Sequence, residues 1–183
     1  SVTFDGTQYT MNGATTVTAQ SGDSIIFSGG GATTFTTSND AITFGTGTVQ
    51  LSDAADLTIT SANGAVSVAS VGGTTSEDIT INAGTGTLAV GAIGNADEIN
   101  TVTLTGSTIT LSGDITTSNE ANNNVDINGA VVISGAVDID TDTAGTDGTI
   151  DFSSTIVGDA NNATTDNLTI DSGGSTVTFN GTI

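Results

Sequence analysis

"DLTITSANGAVSV" (residues 56–68) is answered 22 positions later by "DITINAGTGTLAV" (residues 78–90). Each stretch holds an alternating phrase, a joint of small residues and a second alternating phrase. In D-L-T-I and D-I-T-I every other residue is large and apolar, and A-V-S-V and T-L-A-V keep the same beat. A period of two sends successive side chains to opposite sides of an extended chain, so each phrase reads as a strand with one apolar face. The joints, SANG (61–64) and NAGTG (82–86), are made of residues that tolerate φ > 0 and tight turns.

The same phrase recurs in both directions. SVTF starts at 1, SIIF at 24, AITF at 41, AVSV at 65, TLAV at 87, TITL at 108, AVVI at 130, TIDF at 149 and TVTF at 176. The intervals are 23, 17, 24, 22, 21, 22, 19 and 27, with a mean near 22. Five of the six phenylalanines (Phe4, Phe27, Phe44, Phe152, Phe179) take the fourth position. The second phrase returns as TTVTA (15–19), TVTLTG (101–106), VDING (125–129), VDIDTD (137–142) and NLTIDS (167–172); in the irregular interval after 24, Phe35 in TTFTT serves for it. No stretch keeps helical spacing, β-branched residues fill the apolar positions, and Pro is absent. The chain is therefore expected to be all-β.

A repeat of about 22 residues with two strands and short turns predicts a parallel β-solenoid, a single array over residues 1–183 or one section of a longer array. Stacked at about 4.8 Å per coil, nine copies would make a rod roughly 40 Å long. The alternative is an antiparallel β-sandwich or hairpin meander, which Asn-Gly and Asp-Gly turns also suit. Both ends carry the same strand type, so a solenoid cut there leaves unpaired backbone able to pair with another copy.

Charge narrows the partners. Seventeen Asp and three Glu give a formal charge of −20, and no Lys, Arg or His answers them. Nucleic acid is expected to be a very poor partner, and anionic membrane surfaces are disfavoured, because phosphate contacts need cationic side chains. No disulfide or thiolate site is available without Cys, and no apolar run reaches the roughly 18 residues of a membrane-spanning helix. An opening at Ser1 without a charged leader region suits a processed chain or an internal fragment.

An enzyme is not expected. Nucleophilic triads and phosphate loops need His, Cys or Lys, and a sugar cleft wants aromatic platforms where Tyr9 is the only Tyr or Trp. Paired carboxylates remain the one catalytic option, as in glycoside hydrolysis. A hard cation is the more serious ligand, and calcium is the candidate. The densest acidic stretch, "VDIDTDTAGTDGTID" (137–151), supplies Asp138, Asp140, Asp142, Asp147 and Asp151 as candidate metal ligands. Alternation puts Asp138, Asp140 and Asp142 on one face, where like charges repel unless a cation sits among them. A looser set is Asp159, Asn161 and Asp166, and N-x-T sequons occur at Asn162, Asn167 and Asn180. Threonine rows in TVTLT (101–105) and TITLS (108–112) resemble the flat arrays of ice-binding solenoids, but intervals of 17 to 27 predict coils too uneven to hold a plane.

The strings "TDNLTIDSGGSTVTFNGTI", "DLTITSANGAVSVASVGG" and "DITINAGTGTLAVGAIG" resemble the repeats of β-strand-repeat surface proteins and filamentous-haemagglutinin-like exoproteins and adhesins. The likeness implies a parallel β-helix and an extracellular or cell-surface location. It also implies roles in adhesion, a matrix or a surface coat, while the unpaired ends make the chain itself the expected partner. A glycan- or host-surface-binding module is the alternative that likeness leaves. It carries no catalytic residues.

Overall fold

The computed structural model describes all residues except 53, 75, 95–97, 119–121, 144 and 161–164. Nineteen strands and no helix are found among the described residues. Every strand pairing is parallel. One inward column fixes the architecture: Val2, Ile25, Val49, Val71, Ile93, Ile115, Ile139 and Ile170 lie side by side on successive rungs. From position 2 to position 170 is 168 residues in seven steps, a mean of 24. The chain is a parallel β-solenoid of seven full coils and the start of an eighth, rising about 34 Å at the usual strand spacing. Central coils keep the expected 22 residues, as from Val71 to Ile93 to Ile115; the step from Ile139 to Ile170 is the longest, at 31.

Each coil has three faces where two strands were expected. Face A starts with Val2–Phe4 and ends with Asn167–Asp171, face B runs from Gln8–Met11 to Val177–Phe179, and face C from Thr15–Thr18 to Ile156–Gly158. The extra face hides in what reads as a joint, because in coils four to six it shrinks to one inward residue per rung, Val71, Ile93 or Ile115. This also corrects the count of nine coils. SVTF and SIIF lie on face A, the copies from AITF to AVVI on face C, and TIDF and TVTF on face B. The short intervals of 17 and 19 are thus hops between faces.

Inward columns supply the core. On face B the column is Tyr9, Phe35, Ile59, Ile81, Leu104, Ile127, Phe152 and Phe179. Its members from Phe35 to Phe152 are fully buried. In the second coil Phe27, Phe35 and Phe44 arrive from the three faces and meet edge to face, with ring centres 5.1 to 6.5 Å apart. Aromatic pairs prefer that geometry to a face-to-face sandwich.

Corners take up the variation in coil length. Between faces A and B the chain spends three to nine residues, whereas the turn from B to C shrinks to Gly106–Ser107 and then Gly129, with a bulge in the ladder between Thr105 and Thr108. Gly84 shows how tightly these corners stack. Its φ is +57°, and a Cβ there would stand 1.5 Å from the Ala62 carbonyl oxygen, so only glycine fits.

Candidate functional site

The corner between faces A and B carries most of the side-chain chemistry. Its outer edge is a polar ladder from coil to coil. The Asp78 amide donates to Asp56 Oδ1 at 2.9 Å, while Asp78 Oδ1 accepts the Asn100 side-chain amide at 2.9 Å and the Thr101 N–H at 3.0 Å. One coil further, Asn124 Oδ1 accepts the N–H and the hydroxyl of Thr149, both at 2.9 Å. This is why the repeated phrase opens on Asp, Asn or Thr: that side chain satisfies backbone donors where the ladder is interrupted.

The five predicted metal ligands are divided among three places. Asp138 and Asp140 point outward from the face A rung Ala136–Asp140, Asp142 and Asp147 lie in the following corner, and Asp151 stands on face B. Asp142 and Asp147 share a hydrogen bond, with Asp140 and Asp171 close behind. That bond first, then lost hydration and the charges of Asp147, Asp171 and Asp140, holds the Asp142 carboxyl above its ordinary value of 3.8. Asp138 is raised by partial burial and then by Asp114, Asp140 and Asp171. Asp151 belongs instead with Asp126, its neighbour one rung below, whose carboxyl is raised by burial and then by Asp151. Among the described residues no group of three acidic side chains is placed to hold one metal ion.

Backbone donors occupy part of this corner. Asp147 Oδ2 accepts the Gly174 N–H at 2.6 Å, and Asp140 Oδ1 accepts the Asp142 N–H at 2.9 Å. Beneath the loop, buried Asn123 donates to the carbonyls of Ser118, Thr141 and Thr146 at 2.7 to 3.0 Å. It leaves its Oδ1 without a hydrogen bond. Glu77, also buried, accepts the Thr74 N–H at 2.7 Å and the Thr74 hydroxyl. Sequence reasoning passed over both. Asn123 stands in an Asn run that reads as a polar joint, and nothing in the sequence marks Glu77 as an inward acid.

Asp159 and Asp166 tie the last long corner to the coil below, accepting the Ser134 hydroxyl and the Gly135 N–H, each at 2.9 Å. Asn161, proposed with them, and the sequon Asn162 lie outside the described residues. Asn167 is exposed at the start of its rung, and the Asn180 amide donates to Asp151 Oδ1 at 3.0 Å.

Two further surfaces stand out. Outward on face B, Thr34, Thr58, Thr80 and Thr103 form one unbroken column. Thr36, Thr60, Asn82 and Thr105 form the next. At the far end of the rod an apolar cleft of about 370 Å³ opens between faces C and A, bordered by Ile133, Ile156, Val157, Leu168 and Ile183. Val157 is 54% and Ile183 79% exposed there.

No family model, no curated protein and no solved structure matches this chain.

Proposed function

We propose that the protein is an extracellular structural element, a stiff section of a surface fibre, matrix or adhesin stalk that grows by the addition of coils end to end. The observation that carries this reading is the face B column, which begins with Tyr9 and Phe35 and closes with Phe152 and Phe179. Phe152 and Phe179 stack at 5.3 Å with their planes 6° apart, and Phe179 is left 40% exposed on its far side. Tyr9 is only half-buried at the other end. A further coil with a ring in this column would cover Phe179 as Phe179 covers Phe152, and the exposed strand edges offer it backbone partners. Whether that coil belongs to a second copy or to further chain, all three faces are extended. The apolar cleft beside Ile183 adds surface that such a coil would bury, and the likeness of the repeats to surface exoproteins agrees with the same use.

Light scattering and electron microscopy of the 183-residue chain, over rising concentration in moderate salt, test the self-association. Rods whose length grows with concentration are expected. A particle that stays at 17.8 kDa under every condition would remove end-to-end assembly.

A further inference from the structure

We propose that the two outward threonine columns of face B form a rigid water-ordering surface that binds ice. Uneven coil length was the sequence argument against such a plane, and the registers remove it. Successive members of the first column are 24, 22 and 23 residues apart, yet they remain direct neighbours with no shift between rungs, because the corners absorb the difference. The result is a grid of four rungs, with spacings of about 4.8 Å along the rod and about 7 Å across it, covering about 14 Å of its length. Sheets ordinarily twist, and those that stay flat are held so by stacking or by side-chain ladders; a ladder of that kind is present here.

What the grid leaves undone points to its ligand. Among the described residues none of the seven threonine hydroxyls of the grid bonds to another group. Corner hydroxyls nearby behave otherwise: Thr37 and Ser61 both donate to the Asp40 carbonyl at 2.6 to 2.7 Å, and Thr85 donates to Asn63 at 2.6 Å. The grid is also free of charge in a chain of −20, the first carboxylates of its column appearing only at Asp126 and Asp151. A charged group would impose its own hydration shell, whereas threonine offers a hydroxyl that can anchor one water and a methyl around which others close. Because χ1 of a β-branched residue is stiff, the pattern exists before binding and little side-chain freedom is lost on contact. Ice presents rows of oxygens at comparable repeats, and an in-register grid meets many at once, so weak single contacts combine. A crystalline polysaccharide would present sugar rings for aromatic platforms, and the sole tyrosine, Tyr9, is turned inward.

The test uses the folded full chain and measures inhibition of ice recrystallisation, thermal hysteresis and partition into growing ice. Activity is expected in all three, with its loss in the double variant T58K/T80K and its retention in T110K, which places a single lysine outward on face C. Circular dichroism melts establish that the variants are folded; should the double variant fail there, the single variant T80Y makes the same comparison. A folded parent chain without ice activity overturns the proposal. So does equal loss in T110K. Pull-down on crystalline cellulose or chitin that is abolished by T58K/T80K, without ice binding, would assign the grid to polysaccharide instead.

Discussion

The Asp142 carboxyl lies within hydrogen-bond reach of Asp147, and that contact favours its protonated form. The folded state raises the Asp142, Asp138 and Asp126 carboxyls above 3.8, so it binds their protons more tightly than the unfolded chain does. Their contribution to stability is complete below the unfolded value and fades as pH rises through the raised folded ones. Acidifying from pH 7 towards about 4 should therefore raise the melting midpoint. D142N, which keeps a donor without a charge, should raise the midpoint at pH 7 and shrink the gain on acidification. A midpoint that falls steadily from pH 7 to 4 would contradict this. Only half of the arrangement was legible in the sequence. Alternation along 137–142 correctly turned Asp138 and Asp140 outward, but the meeting of Asp142 with Asp147 and Asp171 depends on a corner and on the next coil. Neither leaves a periodic trace.

Rungs gain their stability by stacking, since each is too short to stand alone. Leu104 is fully buried between Ile81 and Ile127 in the inward column of face B. Leu104→Ala should cost about 2–5 kcal/mol, read as a lower midpoint in urea. The outward neighbour Thr103→Ala should stay within about 1 kcal/mol, the span of strand propensities. Equal losses for the two would argue against an inward Leu104. At this scale faces B and C were plain from phrases such as L-T-I-T and A-V-S-V, because two inward residues per rung establish a period. In coils four to six face A was not: one inward apolar residue among small or polar neighbours, as at Val71 or Ile93, cannot be told from a turn until its neighbours above and below are in place.

Over the whole molecule, self-repulsion is opposed only by the ammonium of Ser1, 3.5 Å from Asp23. Added sodium chloride should raise the melting midpoint by screening, most steeply while the screening length remains longer than the spacing of the acids, near 10 Å at about 0.1 M salt. Calcium, the ligand expected for Asp138, Asp140, Asp142, Asp147 and Asp151, should add to this at matched ionic strength if those carboxylates bind it, and a chelator should then reverse the increment. Identical midpoints in calcium and sodium at equal ionic strength would remove the cation from the picture.

The interstrand hydrogen bonds all run along the rod axis, because each rung pairs with the one above and the one below. A load applied through the two ends therefore opens one ladder at a time instead of shearing many together. Stretched this way, the rod should yield as a string of small, nearly equal events, each paying out about 80 Å of slack for a coil of 24 residues. A rod of this kind gives way gradually and holds together while most of its length is still wound.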